Sequence, residues 1–234
     1  RWHCFDAHSD LSNSNQSALI ANLNGILKST KTQLQAATQV IITYGTSWVY
    51  RNVDTNQIVA NCHKVPQKEF SKEILSVETI EKSIQNTLDS IQKINPNVNF
   101  IFTVSPVRHL KDGFAENQLS KAHLIAALHS SNFQLPTSSY FPSYEIMMDE
   151  LRDYRFYAGD MIHPNSVAID YIWQRFSETA ITVESQMIMK EVETIQKGLQ
   201  HRPFNPNSES HQLFLSKLQD KIEKLQKQFP QIQF

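Results

Sequence analysis

Glycine is scarce in this chain, with five among 234 residues. Where so few are used, each marks a place where the backbone needs freedom or close approach. Gly45, Gly113 and Gly159 fall in or beside polar, motif-like loops. Cysteine is scarcer still. Cys4 and Cys62 allow one disulfide but no disulfide framework, and no zinc-ligand spacing is present. Charge of one sign is missing too. A net charge of -1 excludes the electrostatic footprint of a nucleic-acid or other polyanion binder. Long hydrophobic runs are lacking: Val40-Ile41-Ile42 and Phe100-Ile101-Phe102 fall far short of the roughly 20 residues that span a bilayer. No signal peptide is visible, and the first residue is Arg1 rather than Met, so a trimmed or fragmentary chain is expected. The compartment stays open, with so little cysteine weighing slightly towards a reducing, cytoplasmic setting.

What is present fits one sizeable core with a helical appendage. The chain is organised around Tyr140 to Asn165, YFPSYEIMMDELRDYRFYAGDMIHPN. An aromatic run leads into a charged, helix-like segment, Glu145 to Tyr154, and the stretch closes on Asp160-Met161-Ile162-His163-Pro164. An Asp three residues before a His can hold one imidazole nitrogen and leave the other to take a proton from a nucleophile. Pro164 suits the first turn of a following helix, where its missing N–H costs little. The bland alternative is a capped loop beside a solvated charged face.

Upstream, Ser14 or Asn15 caps a predicted helix to about Ala37, with an apolar stripe at Leu19, Ile20, Leu23, Ile26, Leu27 and Leu34. The run from Thr38 to Tyr44 reads as a buried parallel strand ended by Gly45. Loops at the carboxyl ends of such strands build sites in open α/β sheets, which nominates Gly45, Thr46 and Ser47. Tyr50 to Lys64 reads as a hairpin ending in Asn61-Cys62-His63-Lys64. Neighbouring strand residues point to opposite faces, which opposes a Cys62–His63 nucleophilic pair. Asn61 and His63 would instead share a face and donate hydrogen bonds to a substrate or an oxyanion.

A helix from Ser76, with apolar positions Ile80, Ile84, Leu88, Ile91 and Ile94, stops at Asn95-Pro96. A buried strand over Val98 to Val104 then ends in Ser105-Pro106-Val107-Arg108-His109, where Arg108 and His109 are candidates for binding a polar or anionic group. A helix over about Ala115 to Ser130, a short strand from Ser138, a long helix from Ser166 broken near Thr182, and a helix over Glu209 to Phe229 complete the order. Strands alternating with helices predict a parallel α/β sheet. Residues 1–180 form the expected α/β domain and 181–234 a helical extension, with self-association through those helices an open role.

Four strings carry a resemblance: V-I-I-T-Y-G-T-S-W-V-Y, A-N-C-H-K, T-V-S-P-V-R-H-L-K-D-G with N-Q-L-S-K downstream, and Y-F-P-S-Y-E-I-M-M-D-E-L-R-D-Y-R-F-Y-A-G-D-M-I-H-P. In that order they resemble the GSCFA-domain family, which looks like a branch of the SGNH (GDSL-like) hydrolases. The signature covers about Arg1 to Phe176 and leaves the part beyond about Thr179 outside it. The resemblance implies a three-layer α/β/α sandwich and ester or acyl hydrolysis by a serine, served by Asp160 and His163, with no metal and no cofactor. Gly45-Thr46 matches a block that normally continues with an oxyanion-stabilising Asn, where this chain has Ser47. The family's Gly-Ser-Cys-Phe motif, which supplies the nucleophile, has no match here, and Arg1-Trp2-His3-Cys4-Phe5 is a poor substitute. The first strand and the nucleophile are therefore expected upstream of Arg1, with Ser47 and Ser105 as fallbacks. A small-molecule or glycan ester is the implied substrate. The competing readings are a non-catalytic binding or scaffold protein on the same fold, and a Cys62 nucleophile.

Overall fold

The computed structural model describes residues 1–130 and 137–234. The chain divides into two units, Arg1–Ile172 and Trp173–Phe234.

The first unit is built on a three-stranded parallel sheet of β1 (Gln39–Tyr44), β5 (Asn99–Val104) and β6 (Ser138–Phe141), in the order β1-β5-β6. Registers run Gln39 opposite Asn99 through Tyr44 opposite Val104, and Phe100 opposite Ser138. The middle strand β5 is buried from Phe100 to Val104, with Phe100, Phe102 and Val104 on one face and Ile101 and Thr103 on the other, as a strand covered on two sides must be. Between β1 and β5, the antiparallel strands β2 (Trp48–Asn52), β3 (Ile58–Val59) and β4 (Phe70–Ile74) form a separate small sheet in the order β3-β2-β4. The expected hairpin is its β2–β3 part; β4 pairs along the whole of β2.

Helices form where caps and stripes predict them. Asn15 Oδ1 accepts the Ala18 N–H at 2.9 Å to open α1 (Gln16–Ala36), and Ser76 Oγ accepts the Thr79 N–H to open α2 (Val77–Gln92). In α2 the four-residue spacing of Ile80, Ile84 and Leu88 puts all three on one face, and all are buried. They pack with Leu124, Ala127 and Leu128 of α3 (Phe114–His129) against Phe100, Phe102 and Val104. Truncating Leu88 to Ala would cost about 2–5 kcal/mol at such a site. Asn95 ends the α2 connection by donating from Nδ2 to the carbonyls of Leu34 and Ala37.

The opposite face of β5 meets a short turn α4 (Ser143–Glu145) that runs into a π-helix, Ile146–Leu151. Ser143 bonds Thr103 Oγ1 and the Val104 carbonyl, both at 2.7 Å. Two expectations need correction here. β1 is parallel but not buried: it is an edge strand among the described residues, and Ile41 is 54% exposed. The α1 stripe is likewise mostly in solvent, with Leu19 buried but Ile20 and Leu27 exposed.

Helix α5 (Ser166–Ala180) starts two residues after Pro164, not on it. Pro164 pairs in an isolated bridge with Tyr157, and Asn165 Oδ1 accepts the Ala168 N–H. The predicted break near Thr182 is present, since Thr182 caps α6 (Val183–Gln200). In the second unit, Ile195 of α6 packs with Leu218 and Leu225 of α7 (Glu209–Gln228). Among the described residues, no helix is long and apolar enough to cross a membrane.

Candidate active site at the carboxyl ends of the parallel strands

The Asp160–His163 loop folds on itself. Tyr157 and Pro164 close its neck, and the Ala158 N–H donates to the His163 carbonyl at 2.7 Å. Met161 takes a positive φ of 59° to make the turn. Asp160 Oδ1 accepts the backbone N–H groups of Ile162 (2.9 Å) and His163 (3.0 Å), and Oδ2 meets His163 Nδ1 at 2.6 Å. The His163 N–H and the Ile162 N–H, then the imidazole, pull the Asp160 carboxyl down to about 2, so it is ionised at any ordinary pH. An ionised Asp at Nδ1 holds the proton there and directs Nε2 outward as the basic nitrogen. The His163 side chain is 59% exposed, open to a reactant.

The loop after β5 reaches this loop directly. The Arg108 N–H donates to the Ile162 carbonyl at 3.3 Å, and its guanidinium donates to the Met161 carbonyl at 3.4 Å. The same guanidinium lies 4.0 Å from the Tyr157 ring centroid and 5.3 Å from that of Tyr154, within cation–π reach of both. His109 follows. Burial first, then the charge of Lys121 and that of His163, lower its pKa, while Asp112 opposes them. His109 is therefore a neutral imidazole at neutral pH. Its Nε2 sits so near Gly45 that a Cβ there would lie 3.3 Å away. The carboxyl end of β1 thus comes to His109, and His109 lies within electrostatic reach of His163. Gly45 and Thr46 have backbone N–H groups that donate to nothing else among the described residues.

Ser47 faces elsewhere. It is buried, its N–H donates to Ser120 Oγ at 2.8 Å, and its hydroxyl bonds the Ser120 carbonyl and hydroxyl. Both groups are committed to α3, so neither is available to an oxyanion. Ser105 Oγ accepts the Val107 N–H.

Asn61 and His63 do not lie on a strand, so the shared-face argument for them fails. Asn61 Oδ1 accepts the His63 N–H at 2.8 Å within a turn, and His63 takes a positive φ of 49°. His63 Nε2 bonds the Cys4 carbonyl at 2.7 Å, and its ring stacks on His3. These bonds tie the pair to the amino-terminal segment, where Phe5 accepts from Ala60 and Asn61, and not to the Asp160–His163 loop. Cys62 is a free thiol whose pKa burial pushes up, and His63 Nδ1 has no hydrogen-bond partner among the described residues, so no Cys62–His63 pair forms. Among the described residues, no group of three or more His, Cys, Asp or Glu stands together to hold a metal ion.

The N-Q-L-S-K string, to which the sequence assigned no role, supplies a further part of the site. Asn117, Ser120 and Lys121 occupy one face of α3, at i, i+3 and i+4, and all three are buried. Asn117 Oδ1 accepts the His109 N–H at 2.8 Å; Ser120 holds Thr46 and Ser47; Lys121 Nζ donates to the carbonyls of Gly45 and Ser105. Helix α3 begins at Gly113, whose φ of 108° is open to glycine and strained for other residues. Polar residues at i, i+3 and i+4, on the helical face that continues to Leu124 and Leu128, were the available signal.

The sequence model of the GSCFA family matches residues 1–176. The chain belongs to the GSCFA family. A second model, that of the GSCFA domain protein, C-terminal domain, matches residues 192–234. The helical end of this GSCFA chain therefore has a signature of its own, which the four strings alone did not show. No curated protein and no solved structure matches the chain.

Proposed function

We propose that this GSCFA protein is a serine hydrolase of the SGNH type, cleaving an acyl ester of a small molecule or a glycan. The observation that carries the reading is the 2.6 Å bond from Asp160 to His163 Nδ1, on an exposed loop at the carboxyl ends of the parallel strands. In this mechanism His163 Nε2 removes the proton from a serine hydroxyl as its oxygen attacks the ester carbonyl. The imidazolium, stabilised by Asp160, then gives that proton to the departing alkoxide. Water repeats the sequence to release the acyl group. The N–H groups of Gly45 and Thr46 are the donors placed to receive the oxyanion, and neutral His109 is a third candidate. Arg108, held against Tyr154 and Tyr157, binds a polar or anionic part of the substrate. The nucleophile is a serine outside Arg1–Phe234, carried on a strand that continues the sheet at the open edge of β1. Neither Ser47 nor Ser105 hydrogen-bonds to His163, which supports that placement. The proposed chemistry calls on no metal and no cofactor.

Self-association, on the same proposal, falls to the C-terminal helices, where Leu199 and Leu213 are exposed. A second reading, a non-catalytic binding protein on this fold, is favoured by one observation: Ser47 stands where the family has an oxyanion Asn, and it is bonded into α3. Hydrolysis of short-chain p-nitrophenyl esters by the polypeptide with its natural amino terminus separates the two. The hydrolase reading expects turnover that is lost in His163→Ala while circular dichroism stays unchanged. Equal turnover in the variant would remove His163 as the base.

A further inference from the structure

Lys121 is 1% exposed, and it is the one charged side chain buried to that degree among the described residues. An ammonium taken out of water is strongly disfavoured unless its protons find acceptors. Here two do: Nζ donates to the Gly45 carbonyl at 2.6 Å and to the Ser105 carbonyl at 2.7 Å. Its third direction faces the Tyr144 ring, with the centroid 5.5 Å away. Gly45 and Ser105 are the residues immediately following β1 and β5, and among the described residues no carboxylate pairs with the ammonium. A hydrophobic side chain would fill this space at less cost, so packing does not account for a lysine here.

We propose that Lys121 is a positioning residue of this site: its ammonium fastens the carboxyl ends of β1 and β5 to each other, and so sets Gly45 against His109 beside the Asp160–His163 pair. Its functional meaning rests on the hydrolase reading above; its physical test does not. Two consequences follow from the geometry. The carbonyls of Gly45 and Ser105 are pinned, which aims the N–H groups that follow Gly45 and the backbone that carries His109. The charge of Lys121 also bears on His109, together with that of His163 on the neighbouring loop and of Asp112 on the turn before α3. Lys121 itself is lowered by burial to about 8, so it is mainly an ammonium at neutral pH and loses that form just above it.

The test is a nuclear magnetic resonance titration of the His109 ring and the lysine side chains in the folded wild-type chain and in Lys121→Met, with His109 assigned through His109→Asn. In the wild type, one lysine is expected to titrate near pH 8, and the His109 resonance to show a second inflection at that same pH. In Lys121→Met that lysine signal and the second inflection disappear, and the His109 pKa moves up because a nearby positive charge has gone. A Lys121 ammonium that does not hold the Gly45 strand end against His109 would leave the His109 titration the same in both proteins. Should Lys121→Met fail to fold, the wild-type titration alone decides: coincident inflections support the proposal, and their absence overturns it. An unchanged His109 titration in a folded Lys121→Met also overturns it. Where ester turnover is measurable, Lys121→Met should lower kcat about 100-fold with KM little changed. Absence of all ester turnover would fail the hydrolase reading and leave the titration result standing.

Discussion

The two halves of the candidate site are built in opposite ways. The Asp160–His163 loop supports itself: three of its key bonds run between residues at most three apart, and the working groups are exposed. The loops after β1 and β5 are held from outside by buried polar groups of α3, as in the Thr46–Ser120 bond across 74 positions and the Lys121–Gly45 bond across 76. A local device costs little to fold and tolerates solvent. A distant one depends on the whole unit being formed, because each buried polar group must find its partner. The Asp160–His163 pair thus sits on a locally bonded loop, while the backbone at Gly45 and Thr46 is a property of the fold.

That contrast can be broken most sharply at Asp160. Asp160→Asn should lower turnover about 10⁴-fold by favouring the wrong imidazole tautomer. The melting temperature should stay close to wild type, since the side chain is exposed and serves only its own loop. Steady-state kinetics beside a thermal melt checks both. A large drop in melting temperature would mean that the loop is not self-contained.

Ser120→Ala should show the reverse. It strips partners from Thr46 and Ser47 in a buried setting, at a cost of about 1–3 kcal/mol in urea unfolding. Turnover should fall about tenfold, far less than for Asp160→Asn. Gly45→Ala probes the seam between the halves. Its new Cβ would press on His109 Nε2 at 3.3 Å, so kcat should fall severalfold with stability within about 1 kcal/mol of wild type.

The smallest effects are in pH. Lys121 titrates near 8 in the folded protein against an ordinary 10.5, so between those values the unfolded chain holds more protons. Its contribution to stability therefore rises with pH across that window. The melting temperature of wild type relative to Lys121→Met should climb from pH 8 to 10.5 and then level. Asp160 has the opposite placement. Its folded value of about 2 lies below the ordinary 3.8, so its contribution is complete above 3.8 and fades as pH falls towards 2. Any stability difference between wild type and Asp160→Asn should close over that acid range.

The same contrast explains what could be read in the sequence. Asp160 and His163 were legible because their geometry is set by a spacing of three residues and a turn. The strands β1, β5 and β6 and the helices with capped, periodic stripes were legible for a like reason: period and cap are local. Gly45 directly follows β1, as the strand pattern predicted. Asn117, Ser120 and Lys121 stood in the N-Q-L-S-K string but drew no role from it, because the reason for their polarity lies in carbonyls and loops 8 to 76 positions away. Asn61 and His63 do not share a strand face because β3 ends at Val59 and the two residues lie in a turn with positive φ at His63. The half-exposed state of β1 was missed because an unbroken β-branched run reads the same at an edge as in the centre of a sheet.

The central claim is that Asp160 and His163 activate a serine. Fluorophosphonate labelling of the polypeptide with its natural amino terminus, followed by mass spectrometry, tests it most directly in wild type and His163→Ala. The account predicts one labelled serine, outside Arg1–Phe234, whose labelling is lost in the variant. Labelling that persists in His163→Ala, or that falls on Ser47 or Ser105, would contradict it.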